Sequence, residues 1–175
     1  MLLMLVSALS ITGCKEEIPA IKYRQQGFIK GTINGTAYDD KTPFTRSFTY
    51  TQYSPLLNFW NSTFRLKTDG SVYLQASRID FVTAGNVQFS MQLKDVGAKA
   101  PLDQTFALAY YEEGNEIFFF DMQEFKNSIS FTDFSFDADT GRLKFNYTLK
   151  GETNSTNNTA VVTGSVDIVL KKEVQ

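Results

Sequence analysis

The stretch Phe64-Arg-Leu-Lys-Thr-Asp-Gly-Ser-Val-Tyr-Leu-Gln-Ala76 decides the fold. Phe64 and Leu66 lead into Asp69-Gly70 on one parity, and Val72, Leu74 and Ala76 leave it on one parity. Successive side chains of a strand point to opposite faces, so this pattern buries one face and leaves the other in water. Asp-Gly between two alternating runs is a hairpin turn. The segment therefore reads as an antiparallel pair with one buried face.

The same period of two continues in both directions. Val87-Gln-Phe-Ser-Met-Gln-Leu93 alternates throughout, and Phe44-Thr-Arg-Ser-Phe-Thr-Tyr50 alternates bulky residues with hydroxyl-bearing ones. Ile129-Ser-Phe131, Phe134-Ser-Phe136 and Leu143-Lys-Phe-Asn-Tyr-Thr-Leu149 flank the turn Asp137-Ala-Asp-Thr-Gly-Arg142, and Val161 to Leu170 forms the last run. Asn34-Gly35 tolerates positive φ at both turn positions and predicts a type I′ hairpin there. The polar segment Gly151 to Asn158 reads as a hairpin loop. Short strands separated by Gly, Asn and Asp turns, with no long amphipathic helix, predict an all-β, antiparallel β-sandwich or barrel-like domain over residues 27–175.

Ahead of this domain, Met1 to Gly13 is apolar and uncharged, and too short to span a bilayer core of about 30 Å as a helix of about 20 residues. It reads as the apolar part of a signal peptide. No Lys or Arg precedes it, which is expected if the reading frame starts a few residues upstream. A soluble-type cleavage site fits after Ser10, but Ile11-Thr12-Gly13-Cys14 accounts for the cysteine as well as the cleavage. This run resembles the lipobox of bacterial lipoproteins, which implies lipid on Cys14; the bland reading is an incidental cysteine near a frayed end. The charged, proline-containing residues that follow, up to Gln26, read as a tether. Residues 1–13, 14–26 and 27–175 are thus expected to be signal peptide, lipidated tether and one β domain. Cys14-Lys15-Glu16-Glu17 resembles the acidic surface-export signal of Bacteroidota lipoproteins, and a solvated linker explains the same residues. The opening Gly27-Phe-Ile-Lys-Gly-Thr-Ile-Asn-Gly-Thr-Ala-Tyr38 is similar to the start of many secreted Bacteroidota lipoproteins of unknown function. That resemblance implies an outer-membrane location facing the exterior and brings no catalytic residues.

Composition excludes several chemistries. The 175 residues carry 17 Lys and Arg against 19 Asp and Glu, a net charge of −2, without the clustered basic residues that nucleic acid requires. There is no histidine, which removes the commonest general base and metal ligand. The one cysteine leaves no internal disulfide. Carboxylates remain: Glu112, Glu113, Glu116 and Asp121 cluster around Ile117-Phe-Phe-Phe120, as a glycan hydrolase needs two facing carboxyls about 5 to 10 Å apart, but a solvated acidic turn explains them too. Asp137-Ala-Asp139 invites a calcium reading that fails at Gly141, which has no side-chain oxygen, and at Thr148, where an EF-hand loop carries an acidic residue; a turn using Asp and Gly suffices. No metal and no cofactor are expected.

Aromatic residues are plentiful, with 16 Phe, 8 Tyr and 1 Trp, and most belong in a core. Tyr53 and Trp60, in a proline-broken stretch, and the pair Tyr110-Tyr111 are the candidate ligand-binding residues, since aromatics on a loop can stack on sugars; a loop capping the core needs no ligand. The expected function is a monomeric, lipid-anchored binding or structural domain whose partner is a glycan, a peptide or an envelope protein. The alternative is a carboxylate-dependent glycan hydrolase or a glycan-binding accessory protein.

Overall fold

The computed structural model describes residues 26–36, 42–52, 62–112, 115–121, 128–152 and 159–173. Their regular structure is entirely β: β1 (Gly27–Thr36), β2 (Pro43–Tyr50), β3 (Thr63–Leu66), β4 (Val72–Ile79), β5 (Asn86–Leu93), β6 (Asp103–Glu112), β7 (Asn115–Asp121), β8 (Ser128–Asp137), β9 (Arg142–Glu152), β10 (Thr159–Val169) and β11 (Lys171–Lys172). They form two sheets packed as a sandwich, one of five strands in the order β2-β1-β10-β9-β8 and one of six in the order β11-β3-β4-β5-β6-β7. Every pairing is antiparallel except β11 with β3. The chain passes between sheets where β10 runs through Leu170 into β11, and where Gln52, just after β2, bridges to Ile79 of β4. Strands that switch sheets make the corners of such sandwiches.

The deciding hairpin forms in the expected register, with Phe64 opposite Leu74 and Leu66 opposite Val72. Gly70 holds φ +86° at the turn, a conformation that a Cβ disfavours, and the Asp69 carboxylate accepts from the backbone N–H and hydroxyl of Ser71. On β5 every second residue from Val87 to Leu93 is at most 1% exposed, and Leu143, Phe145, Tyr147 and Leu149 of β9 face them from the other sheet. Phe89 stands at the centre, its ring 4.6 Å from Phe106 and 5.1 Å from both Phe145 and Tyr147.

One local expectation is corrected, and one break between runs is explained. Asn34-Gly35 is no turn: both residues lie inside β1, opposite Thr45 and Phe44 of β2, and the ladder continues to Thr36 opposite Pro43. Gly35 faces the core, where a Cβ would come 3.0 Å from that of Ala160, so close packing explains this glycine. In β8 the alternation changes phase, with Ile129 and Phe131 on odd positions and Phe134 and Phe136 on even ones. A β-bulge between Thr132 and Ser135, with Asp133 at φ +54°, lets both pairs reach the core.

A pair of glycines shapes the five-stranded sheet. Gly31 of β1 and Gly164 of β10 sit directly opposite each other on the inward face. The phenol of Tyr147 passes over Gly164 and donates a 3.1 Å hydrogen bond to the carbonyl oxygen of Lys30. A Cβ on Gly164 would lie 2.5 Å from the Tyr147 hydroxyl oxygen, and one on Gly31 2.7 Å from that oxygen and 2.9 Å from Phe48 Cζ.

Candidate functional site

Of the sequence-selected residues, Cys14, Lys15, Glu16, Glu17, Tyr53 and Trp60 lie outside the described residues. Tyr110 and Tyr111 are described. They are neighbours on β6 at a register irregularity of the β6–β7 ladder, and Tyr110 packs against the core. Tyr110 donates its hydroxyl to Glu112 at 3.1 Å, and burial is the first cause of its raised pKa.

Of the acidic candidates, Glu112 has a defined partner, and Glu113 lies outside the described residues. Glu112 ends β6 and is held by Arg46 of β2, with Nε donating to Oε1 and Nη2 to Oε2, across the gap between the two sheets. The Arg46 hydrogen bond is the main reason that the Glu112 carboxyl lies below its usual range. A carboxylate so stabilised is a poor general acid, which needs a raised pKa. Glu112 stands opposite Asn115 in the β6–β7 ladder. The Asp137 turn is also accounted for: its carboxylate accepts from the backbone N–H groups of Asp139 and Thr140 and from the Thr140 hydroxyl. Among the described residues, no group of three acidic side chains gathers to hold a metal ion.

Among the described residues, the outer face of the five-stranded sheet carries an open depression. Lys30 and Thr32 of β1 stand opposite Ser165 and Thr163 of β10 on one side, and Thr49 and Ser47 of β2 on the other. Asn146 of β9 extends the row beyond Ser165. These side chains line an open depression of about 370 Å³. Short hydroxyl and amide groups dominate, each able to donate and accept. The Lys30 ammonium lies 5.0 Å from the centre of the Phe28 ring, supplying a cation and an aromatic at the margin. The depression is open and mixed in polarity, unlike the enclosed apolar clefts that hold small cofactors.

Comparison with protein-family models, curated proteins and solved structures gives no match. The reading of this face therefore rests on its own chemistry. Its signal was present in the sequence as the solvent parity of Thr45-Arg-Ser-Phe-Thr49 and Lys30-Gly-Thr32. Attention to aromatics passed over it, because hydroxyl-bearing residues are also what an ordinary wet sheet face carries.

Proposed function

We propose that this chain is an outer-membrane lipoprotein, anchored through Cys14 and facing the cell exterior, whose β-sandwich acts by binding or as a structural component and not by catalysis. The observation that carries the anchoring is the position of the only cysteine, directly after Ile11-Thr12-Gly13 and before a charged linker. Support for a binding role comes from the hydroxyl- and amide-rich face around Thr32, Ser47 and Thr163. Its chemistry matches a broad, hydroxyl-bearing ligand, and a surface glycan fits this better than a peptide, which takes most of its affinity from sheet edges and apolar pockets. Tyr53 and Trp60 are further contributors to the same kind of ligand.

The test of anchoring separates the two halves of the N-terminal signal. Replacing Cys14 with Ala removes the acyl attachment point, so the protein should leave the outer-membrane fraction. Replacing Lys15, Glu16 and Glu17 with Ala should leave it lipidated but hidden from protease applied to intact cells. Unchanged fractionation of the Cys14→Ala variant would overturn the lipoprotein reading, and equal digestion would reduce the acidic triplet to a linker. For binding, a polysaccharide panel should give a hit that weakens at least about fivefold when Lys30 and Asn146 are both replaced by Ala, equivalent to ~1 kcal/mol.

A further inference from the structure

We infer that the turn Asp80–Gly85, between β4 and β5, is a membrane-contacting element that seats Phe81 and Val82 at the boundary between headgroups and acyl chains of the leaflet holding the lipid anchor. The inference rests on the lipid-anchored reading above. Phe81 is 55% exposed and Val82 89%. Water-exposed apolar side chains at a loop tip are stabilised by transfer to an apolar boundary.

The turn is braced to present them. Asp80 N–H donates to the Gly85 carbonyl at 2.7 Å, and the Asp80 carboxylate accepts from Val82 N–H and from the Thr83 hydroxyl, both at 2.9 Å. The Thr83 hydroxyl oxygen in turn accepts from Gly85 N–H at 3.2 Å. Little further ordering is needed when the tip meets a surface.

The place where the tether joins the fold gives the occupant. The Gln26 carbonyl accepts from Arg78 at 3.0 Å, and the backbone N–H groups of Ile79 and Phe81 donate to the backbone and side chain of Gln52. The chain thus enters the domain beside the segment that leads into the turn. A coil of the length that separates Cys14 from Gln26 would have a root-mean-square span of about 20 Å, whereas a domain of this size is roughly 40 Å across. The end that bears Gln26 is therefore the one held nearest to the lipid. A Phe and a Val alone bind membranes weakly, but a short tether supplies an effective concentration on the order of mM. Leu102, also exposed at 67%, follows the other end of β5 and is the natural control.

The test uses the full-length lipidated protein. Acylation blocks the one native thiol, so Val82→Cys and Leu102→Cys each offer a single site for an environment-sensitive fluorophore. In phosphatidylcholine and phosphatidylglycerol vesicles, the dye at position 82 should shift to the blue and be quenched by lipids spin-labelled near the headgroup. The dye at position 102 should do neither. If the protein floats with the vesicles and the two dyes behave alike, the inference is overturned while anchoring stands. A blue shift at 82 that depends on protein concentration, without quenching by spin-labelled lipid, assigns the tip to a protein contact and also overturns it. Failure of the unsubstituted protein to float removes the anchoring reading itself.

Discussion

The Arg78 guanidinium donates a 3.0 Å hydrogen bond to the carbonyl oxygen of Gln26, tying β4 of one sheet to the residue from which β1 of the other departs. Its second amino group donates to the Ser62 hydroxyl at 2.5 Å and to the Ser77 carbonyl at 2.7 Å. Arg78 is only 2% exposed. It works as a buried fork joining three separate segments.

Arg78→Ala should destabilise the domain by about 2–4 kcal/mol, because buried acceptors lose their donors. Arg78→Lys should recover only part of this, since a compact ammonium cannot reproduce the planar fork. Urea melts measure both. An unchanged midpoint for the Ala variant would mean that Val169 N–H, which also donates to Gln26 at 3.2 Å, suffices to hold this corner.

Gly164→Ala should cost about 1–3 kcal/mol or more by overpacking, because an added Cβ would lie 2.1 Å from the Lys30 carbonyl oxygen and 2.5 Å from the Tyr147 hydroxyl oxygen. Phe89→Ala, at the centre of the ring cluster, should cost about 3–5 kcal/mol, enough to leave a marginal domain largely unfolded. Thermal melts that leave either variant at the wild-type midpoint would contradict the packing described.

Two buried tyrosines should respond in opposite ways to loss of the hydroxyl. Tyr147→Phe breaks the bond to Lys30 and should cost about 1 kcal/mol. The Tyr50 hydroxyl is buried with no hydrogen-bond partner among the described residues, so Tyr50→Phe should be neutral or stabilising by up to about 1 kcal/mol. Burial raises the pKa of both phenols well above the ordinary value. Their neutral forms stabilise the fold fully below about pH 10, and that contribution is lost as pH rises further, because the unfolded chain ionises first. The double Phe variant should therefore show a flatter alkaline limb in stability against pH.

At acid pH the surface carboxylates act in the reverse sense. Asp167 on β10 accepts from Arg142 Nε and Nη2 at 3.0 Å each, and this hydrogen bonding is the first cause of its lowered pKa. The Thr140 hydroxyl does the same for Asp137. Folded values below the unfolded ones give a stabilisation that is complete above about pH 4 and disappears as pH falls through the folded values. Asp167→Asn should flatten the acid limb measured by circular dichroism between pH 2 and 5, and added salt should mimic part of the change.

Much of the fold was legible because the strands are half-wet. The run from Phe64 to Ala76 carries both parity and turn chemistry in consecutive residues, which is why its register could be read directly. Asn34-Gly35 misled because the reason for its glycine, Ala160, stands far along the chain on β10. The hollow made by Gly31 and Gly164 was hidden for the same reason: neither glycine means anything until Tyr147 is laid across them. At the candidate site, the role of Tyr110 as a core-packing residue that also reaches Glu112 depends on its place on β6, which its neighbours in sequence do not announce. The polar face of the five-stranded sheet could be located by parity, but its continuity depends on the strand order.

Because β1 pairs with β10, with Gly27 opposite Ile168, the first strand waits for nearly the last segment to be synthesised. Until then β1 and β2 form an isolated hairpin, and β8 and β9 another, each too small to be stable alone. Non-local pairing of this kind slows folding to the millisecond-to-second range. The sheet β3 to β7 pairs neighbours in sequence and is complete in the first two thirds of the chain, whereas the five-stranded sheet closes last, only once β10 has been made.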